Sequence, residues 1–376
     1  MRVSLLVPAL LLGLSACRFA PGPGQDLRRS IWVDRWDYQT ATDIERILAD
    51  CRRAGFSSVF FQVRGNGTVA YRSRIEVWSE RFGFRDPGFD PLETAVAAAH
   101  RLGLSLHAWI NVLPGWAGKT KAADPRQLSR ARPDWFLAGG DGAGQVPRKG
   151  KYLTLNPCLP EVRAYLASLA REIVESYAVD GLHLDYARFP DAQGDDIDRL
   201  GTDPRTLSLF TAETGRTRND AQALRNWQTL SVTRAVEEIS SAVRGVEGRS
   251  VLLSAAVFAD PDLARRKVRQ DWPEWARRRL VDAVVPMNYT ESDVRFDQLA
   301  REDIERARGL PVIIGIGAHR HASPDQTVLQ MESALSAGAA GVSLFNYRAL
   351  FGERRAGGPE PADLRRRVAS FLLAGR

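Results

Sequence analysis

Apolar residues along the chain form short runs, and each run is followed by a longer segment in which apolar residues recur at helical spacing. Near-continuous apolar runs that alternate with helices are typical of parallel strands covered on both faces. Eight such units predict an α/β protein whose strands close into a single (β/α)8 TIM barrel. The runs are Ser30–Trp36, Ser58–Arg64, Ser105–Val112, Gly181–Phe189, Val251–Phe258, Ala283–Tyr289, Val312–Ala318 and Gly341–Tyr347.

Turn and cap residues distinguish the two ends of this barrel. Asp90 before Pro91 predicts a helix start, because an Asp side chain caps free N–H groups and proline suits the first helical position. The long connections all follow strands, which places the extra chain at the carboxyl end of the barrel, where barrel enzymes keep their active sites. These connections are Gly65–Asp90, Leu113–Pro157, Pro190–Arg218, Phe258–Gln270 and Tyr289–Asp297.

The first residues follow a different pattern. Val3–Leu14 is an apolar run that is too short for a stable membrane span, and it ends in Ser15-Ala16-Cys17. This arrangement resembles the bacterial lipobox, in which the cysteine is acylated and becomes the new N-terminus. We expect residues 1–16 to be a signal peptide, 17–29 to hold the lipidated Cys17 and a tether, and 30–376 to form the barrel. An ordinary signal peptide with a coincidental cysteine is the alternative.

Composition and charge fit a soluble globular protein. The chain of 376 residues is 44% hydrophobic and 26% charged, with a net charge of +7. The basic residues are spread along the chain, as on a solvated surface, and no basic run has interleaved aromatics, so nucleic acid is not an expected partner. Acyl chains on Cys17 would hold the protein on a membrane of the cell envelope. Arg18 after Cys17 favours the periplasmic face of the outer membrane in a Gram-negative cell. We expect the protein to be a monomer.

Polar and aromatic side chains collect at the strand ends. Alternation along a strand predicts that Gln62 and Arg64, Trp109 and Asn111, and His183 and Asp185 share the lumen side in pairs. Aromatic faces stack on sugar rings, while amides and charged groups bind hydroxyls, so the set indicates a carbohydrate cleft. The predicted substrate-binding residues are Gln62, Arg64, Trp78, Trp109, Asn111, His183, Tyr186, Arg188, Asn288 and Tyr289.

Asp185 is the leading catalytic candidate, with a capping or loop carboxylate as the alternative. Neighbouring His183 and Arg188 are expected to keep it ionised, as a nucleophile or a stabiliser of an oxocarbenium-like centre. Glycoside hydrolysis also uses a carboxylic acid that protonates the leaving oxygen. Glu80 ranks first for this role, because Trp78 beside it would raise its pKa, and Glu291 ranks second. Asp34 and Asp37, at the end of the first strand, are further candidates.

No cofactor or metal site is expected. The histidines lack the H-E-x-x-H spacing of a helical zinc site, and the chain has no phosphate-binding glycine loop and no G-x-S-x-G motif. A pair of carboxylates hydrolyses glycosides without a cofactor.

Several linked segments over about residues 28 to 350 resemble the bacterial glycosyl hydrolase-like family 10. The segments are Arg29–Trp36, Gly55–Leu92, Ala99–Trp116, Val179–Pro190 and Val284–Thr290. The resemblance implies a barrel hydrolase, and members of this family are commonly envelope lipoproteins. At least one member hydrolyses peptide-free peptidoglycan glycan strands. Some members carry an acidic residue after the strand-two Gln-Val-Arg, whereas this chain has Gly65-Asn66-Gly67 there.

A more distant similarity links two strands to the family 18 chitinases. Asp180–Ala187 is similar to their D-G-x-D-x-D-x-E strand, and Met287–Tyr289 to their M-x-Y strand. Ala187 stands where those enzymes hold the catalytic acid, and His183 also departs from the pattern. The similarity implies that Asp185 and Tyr289 position an N-acetyl group.

Together these features predict a lipid-anchored glycoside hydrolase that acts on an N-acetylated cell-envelope glycan, such as peptidoglycan glycan strands, by a carboxylate mechanism. Two other interpretations stay open. A catalytically inactive glycan-binding lipoprotein would show the same aromatic cleft. A structural lipoprotein that links membrane and wall would show no deep cleft.

Overall fold

A computed structural model describes residues 26–142, 144–145, 151–191 and 197–374. Its strands are β1 (Arg29–Val33), β2 (Ser58–Arg64), β3 (Ser105–Asn111), β4 (Pro114–Ala117), β5 (Tyr152–Thr154), β6 (Gly181–Asp185), β7 (Leu252–Phe258), β8 (Ala283–Asn288), β9 (Ile313–Ile316) and β10 (Gly341–Leu344). Eight of them form a closed parallel barrel in the order β1-β10-β9-β8-β7-β6-β3-β2, which confirms the predicted (β/α)8 fold. The proposed signal peptide and Cys17 lie outside the described residues.

Helices surround the barrel. They are α1 (Ala41–Arg53), α2 (Pro91–Arg101), α3 (Leu128–Ala131), α4 (Pro160–Ser176), α5 (Pro204–Thr214), α6 (Ala221–Arg244), α7 (Pro261–Val268), α8 (Trp272–Arg277), α9 (Asp293–Arg306), α10 (Pro324–Ser336), α11 (Tyr347–Phe351) and α12 (Pro361–Ala374). The sequence predicted no helix at α5 or α7, which lie inside long connections after strands. Within the described ranges, no helix has both the length and the apolar character needed to cross a bilayer.

The helix starts follow the expected chemistry. The Asp90 side chain accepts hydrogen bonds from the backbone N–H groups of Leu92 and Glu93, and Pro91 takes the first helical position of α2. The buried face of α2 packs against the outside of β2 and β3. These caps satisfy N–H groups that the helix itself leaves without partners.

The barrel lumen is filled by side chains over most of its depth. Trp32, Phe60 and Trp109 form an apolar cluster there, with Leu27 packed against it just before β1. The chain thus joins the barrel core within the segment that was predicted as tether. Gly181 leaves the room that His107 occupies, because a Cβ at this position would lie 1.9 Å from His107 Nδ1. A filled lumen restricts a ligand to the carboxyl end of the strands.

The long connections lie at this carboxyl end, as predicted. The connection after β3 contains the antiparallel β4–β5 hairpin and brings Tyr152 to the barrel mouth. The connection after β2 carries a short 3-10 turn, Glu80–Phe82. The connection after β3 therefore contributes Tyr152 to the site described next, and the connection after β2 lies outside its lining.

Candidate active site

A cavity of about 160 Å³ opens at the carboxyl end of the barrel. Seven of its fifteen lining residues are aromatic, and the others include two amides, two carboxyl groups and two guanidinium groups. The lining residues are Trp32, Asp34, Arg35, Trp36, Gln62, Trp109, Asn111, Tyr152, Asp185, Tyr186, Arg188, Ala256, Met287, Tyr289 and Phe345. Asp34 and Asp185 are the carboxyl groups among these residues.

Asp185 lies on the cavity floor at the last position of β6 and is 6% exposed. Its Oδ1 accepts hydrogen bonds from the Tyr186 N–H at 2.6 Å and from Arg188 Nη1 at 3.1 Å. Burial raises the pKa of the Asp185 carboxyl, and the Arg188 charge and the Tyr186 N–H oppose this shift only in part. The sequence analysis considered only the charged neighbours that keep this group ionised, and burial acts in the opposite direction, which is the direction that a proton donor needs.

Tyr186 and Arg188 shape the wall beside this carboxyl group. The Tyr186 backbone has a φ of 51°, a left-handed conformation that is unfavourable for a bulky side chain. Such conformations are concentrated at functional sites, where the surrounding structure imposes them. The Arg188 guanidinium lies 4.1 Å from the Tyr186 ring centre, and Tyr152 packs edge-on against the same ring at 5.2 Å. The turn after β6 therefore places Arg188 and Tyr186 at the cavity, and Tyr152 of β5 packs against them.

A chain of hydrogen bonds joins the ends of β1, β2 and β3. Gln62 Oε1 accepts from the Arg35 N–H at 3.1 Å, and Gln62 Nε2 donates to Asn111 Oδ1 at 3.2 Å. Asn111 Nδ2 in turn donates to the Gly65 carbonyl at 3.0 Å. These contacts fix the orientation of both amides at the cavity.

Aromatic rings form the opposite side. Trp32 lies edge-on to Tyr289 with ring centres 6.5 Å apart, and Phe345 lies 5.4 Å from Tyr289. The Trp109 side chain interacts with the Asp185 carboxyl and opposes the rise in its pKa. The cavity thus offers ring faces for sugar C–H groups.

His183 lies one layer below the cavity, which corrects its predicted place in the cleft. Trp32 Nε1, which can only donate, gives a hydrogen bond to His183 Nε2 at 3.1 Å, so Nδ1 carries the proton toward Ser254 Oγ at 2.9 Å. Burial lowers the pKa of His183 well below its usual value. His183 is therefore a neutral residue that holds Trp32 in position, and it is not a cation beside Asp185.

Arg64 points away from the cavity, contrary to the alternation argument. The pairing of β2 with β3 shifts between Gln62 and Arg64, so that Gln62 pairs with Trp109 and Arg64 pairs with Ile110. The bulge turns Arg64 out of the lumen. There its guanidinium forms a buried ion pair with Glu76 at 2.7 Å and donates to the carbonyl of Pro114 at 3.2 Å. Arg64 thus links the connection after β2, through Glu76, to the connection after β3, through Pro114.

We expect Arg64→Met to destabilise the fold without a direct effect on substrate binding. The substitution leaves Glu76 charged and buried, and breaking a buried pair in this way costs roughly 3–5 kcal/mol of unfolding free energy. Arg101→Met is the control, since Arg101 pairs with Glu45 while both side chains are mostly exposed, and such pairs contribute about 1 kcal/mol or less. Denaturant titration measures both values. If Arg64→Met left the free energy of unfolding unchanged and raised KM, Arg64 would instead be a substrate-binding residue.

Asn288 and Glu291 also lie outside the cavity. In β8 the lumen position belongs to Met287, so Asn288 faces outward, where its side chain contacts Asp303 of α9. Glu291 is solvent-exposed and forms an ion pair with Arg320 at 3.4 Å. Neither residue faces Asp185 across the cavity.

Glu80 and Trp78 belong to the wall behind the site. Glu80 Oε1 accepts from Asn66 Nδ2 at 3.0 Å, and its Oε2 accepts from Thr68 Oγ1 at 2.9 Å. Trp78 packs edge-on against Phe82 in the same connection. Neither Glu80 nor Trp78 lines the cavity, whereas Asp34 does.

The cavity also contains residues that the sequence did not single out as binding residues. Arg35 and Trp36 follow β1, and Phe345 follows β10. Alternation from Ser30 through Trp32 to Asp34 was a usable signal for β1. Tyr152 comes from a long connection and had no such signal. Among the described residues, no group of three or more His, Cys, Asp or Glu side chains is placed to hold a metal ion.

Curated relatives share much of the chain. The glycosyl hydrolase DigH of Escherichia coli K12 is 26% identical over 305 residues, which cover 74% of this chain and 66% of DigH. The glycosyl hydrolase YngK of Bacillus subtilis is 29% identical over 153 residues, or 39% of this chain and 28% of YngK. The chain therefore spans just under two thirds of the length of DigH.

Solved structures with the same fold are glycosidase barrels. The glycoside hydrolase domain of PgaB (BpsB) from Bordetella bronchiseptica superposes with a TM-score of 0.64 at 16% identity, covering 90% of this chain and 98% of that domain. The catalytic domain of β-amylase from Paenibacillus polymyxa superposes with a TM-score of 0.60 at 12% identity, covering 93% of this chain and 99% of that domain. At these identities the similarity concerns the fold.

The family model described as Glycosyl hydrolase-like 10 matches residues 28–332, which include β1 to β9 and most of the cavity residues. The match covers more than half of the chain and agrees with the segments that carried the sequence resemblance. This protein belongs to the Glycosyl hydrolase-like 10 family.

Proposed function

We propose that this protein is a glycoside hydrolase that cleaves an N-acetylated glycan of the cell envelope, with peptidoglycan glycan strands as the substrate. The observation that carries the proposal is the cavity at the barrel mouth, where Asp34 and Asp185 lie among aromatic rings and oriented amides. The family and the names of its relatives support the same reaction class.

The two carboxyl groups have different surroundings, which suggests different roles. Burial raises the pKa of Asp185, so this group is the proton donor to the leaving oxygen. As the bond between C1 and that oxygen breaks, positive charge develops at C1 and faces the half-buried carboxylate of Asp34. Water then adds to C1, and one of its protons restores the acid.

A protein that binds glycan without cleaving it is the second candidate. The observation that favours it is the ion pair between Arg188 and Asp185, since a guanidinium and a backbone N–H stabilise the ionised carboxylate, which has no proton to donate to a leaving oxygen. Both candidates use the same cavity, so turnover separates them.

The direct test is to incubate the purified protein with peptide-free peptidoglycan glycan strands and to measure new reducing ends. Hydrolysis should generate reducing ends in proportion to enzyme concentration, and mass spectrometry should show N-acetylated fragments. Strands that bind but yield no new ends, together with inactivity on other N-acetylated glycans, would establish the binding protein instead.

We also propose that the protein is anchored in the envelope by acyl chains on Cys17, on the periplasmic face of the outer membrane in a Gram-negative cell. The support is the short apolar run that ends at Cys17. More than one acyl chain gives stable anchoring, whereas a single chain gives reversible binding.

Cys17→Ser should therefore release the protein from membranes, as measured by fractionation and immunoblotting. Cys51→Ser is the matched control, because Cys51 is buried in the barrel and should leave the distribution unchanged. An unchanged membrane fraction for Cys17→Ser would contradict lipid anchoring.

A further inference from the structure

The Arg35 side chain is a buried cation at the edge of the cavity. It is 6% exposed, and its guanidinium carbon lies 4.7 Å from the ring centre of Trp36. Gly65 gives it room, because a Cβ at position 65 would lie 2.2 Å from Arg35 Nη1. The position of the guanidinium is therefore determined by the ends of β1 and β2.

This guanidinium has unused hydrogen-bonding capacity. Arg35 Nη1 donates to Gln62 Oε1 at 3.3 Å and the guanidinium also interacts with the Tyr152 hydroxyl, whereas the buried Nε has no partner among the described residues. Asp34 and Glu80 act on Arg35 through their charge, but their oxygens accept hydrogen bonds elsewhere, from the Trp36 N–H and from Asn66 and Thr68. No ion pair compensates the charge directly in the part of the chain that the structure describes.

Arg188, the other arginine of the cavity, shows the contrast. Its Nη1 contacts Asp185 Oδ1 at 3.1 Å, and its guanidinium lies on the Tyr186 ring. Both arginines are buried to the same extent, yet only Arg188 has a carboxylate partner.

Asp34 and Glu80 stabilise the charge of Arg35 from a distance, but a buried N–H donor without a partner is still costly, because water is excluded and no acceptor replaces it. The guanidinium group forms its strongest and most directional contacts with planar oxyanions. The cavity around it also contains aromatic rings and amides, which suit a sugar ring, so the matching ligand is a carboxylate attached to a sugar.

We propose that Arg35 binds a carboxylate carried by a sugar of the substrate, and that it makes the enzyme selective for acidic over neutral N-acetylated glycans. The inference rests on the proposed glycosidase function and specifies its substrate. A 3-O-lactyl ether and a C6 uronate both present this group, so the experiment includes both.

The test combines a change in the protein with a change in the substrate. Wild type and Arg35→Gln are assayed on peptide-free glycan strands and on the same strands after reduction of their carboxyl groups to alcohols. A charge-assisted contact predicts that reduction lowers wild-type kcat/KM by about 10- to 100-fold, mainly through KM. Arg35→Gln should show the same loss on native strands and no further loss on reduced strands.

Three further arms define the specificity. Arg35→Lys keeps the charge but loses the planar fork, so it should recover part of the selectivity. Arg74→Gln is the charge control, since that side chain is 81% exposed on the connection after β2, and it should leave the selectivity unchanged. N-acetylated oligomers with a uronate, with a lactyl ether or with neither show which source of the carboxylate is preferred.

Equal losses for Arg35→Gln on native and reduced strands would overturn the inference and leave Arg35 a structural residue. Thermal unfolding of each variant establishes that it is folded. If wild type hydrolyses none of these glycans, the proposed function fails, and calorimetric binding of native and reduced strands then decides the role of Arg35 separately. Equal affinity of wild type for both strands would overturn the role of Arg35 as well.

Discussion

Asp185→Asn is expected to lower the hydrolysis of glycan strands on the order of 10³-fold while the protein stays folded. The amide keeps the volume of the side chain and retains an acceptor for the Tyr186 N–H and Arg188 Nη1, the two donors seen at Oδ1. What the amide lacks is a transferable proton. Reducing-end release from peptide-free strands measures the loss, and circular dichroism checks the fold.

The role of proton donor has two further signatures. A substrate with an activated phenolic leaving group needs little protonation, so its hydrolysis should be largely spared in Asp185→Asn. The protonated form is the reactive one, and burial raises the pKa of Asp185. Wild-type kcat/KM should therefore fall as pH rises through this raised pKa, and the alkaline limb should disappear in the variant.

The shifted pKa of Asp185 also determines how the free energy of unfolding depends on pH. Because burial raises the folded-state pKa of Asp185, the folded protein binds this proton more tightly than the unfolded chain does. The contribution of this proton to the free energy of unfolding is fully present below the pKa that Asp185 has in the unfolded chain. It is lost as the pH rises through the pKa that Asp185 has in the folded protein. At neutral pH the neutral amide avoids the cost of a buried charge, so the Tm of Asp185→Asn should equal or exceed that of wild type.

Near-normal turnover of ordinary strands by a folded Asp185→Asn would contradict the assignment of β6 as the catalytic strand. A loss that an activated leaving group does not relieve would contradict the role of proton donor, and it would fit the ionised role that the sequence suggested.

The sequence predicted the barrel because its strands and helices carry strong local patterns. Apolar runs and helix caps such as Asp90–Pro91 are local signals, and each run corresponds to one barrel strand in the structure. Alternation then placed Trp109, Asn111 and Asp185 correctly at the cavity. These residues end regular strands, where two successive positions face opposite sides.

The same rule failed where the backbone departs from regular geometry or where depth matters. A bulge after Gln62 turns Arg64 outward, and the bulge has no signature in the residue pattern. His183 does face the lumen, as alternation requires, but one layer below Asp185, where side chains fill the barrel. Alternation gives the side of a strand and does not give the height at which the lumen opens.

The remaining cavity residues depend on long-range contacts. Tyr152 reaches the barrel mouth because β5 pairs with β4 in a two-stranded antiparallel sheet, and a long connection separates these two strands in the chain. Glu80 looked suitable because an aromatic residue precedes it in the sequence, but its oxygens bind Asn66 and Thr68. Whether a loop carboxylate faces the cavity depends on these partners, and sequence neighbours do not reveal them.

Asp34→Asn is expected to lower hydrolysis by about 10³-fold, which corresponds to roughly 4 kcal/mol of added barrier. Asp34 lines the cavity, and its Oδ1 accepts the Trp36 N–H at 2.9 Å, so an amide can keep the contact while it loses the charge. The missing charge is the one that faces C1 when the leaving group departs. An activated leaving group does not supply this charge, so it should not restore the rate of Asp34→Asn.

Asp37→Asn is the matched control for Asp34→Asn. Asp37 follows the same strand and its Oδ1 accepts from Arg348 Nη2 at 2.7 Å, but it does not line the cavity. It accepts the Asp34 N–H at 3.0 Å, so it positions Asp34, and its amide should cost less than about 10-fold, or 1.4 kcal/mol. If Asp34→Asn were rescued by an activated leaving group while Asp185→Asn was not, the two roles would be exchanged. Equal losses for Asp34→Asn and Asp37→Asn would instead mean that the end of β1 acts only through its geometry.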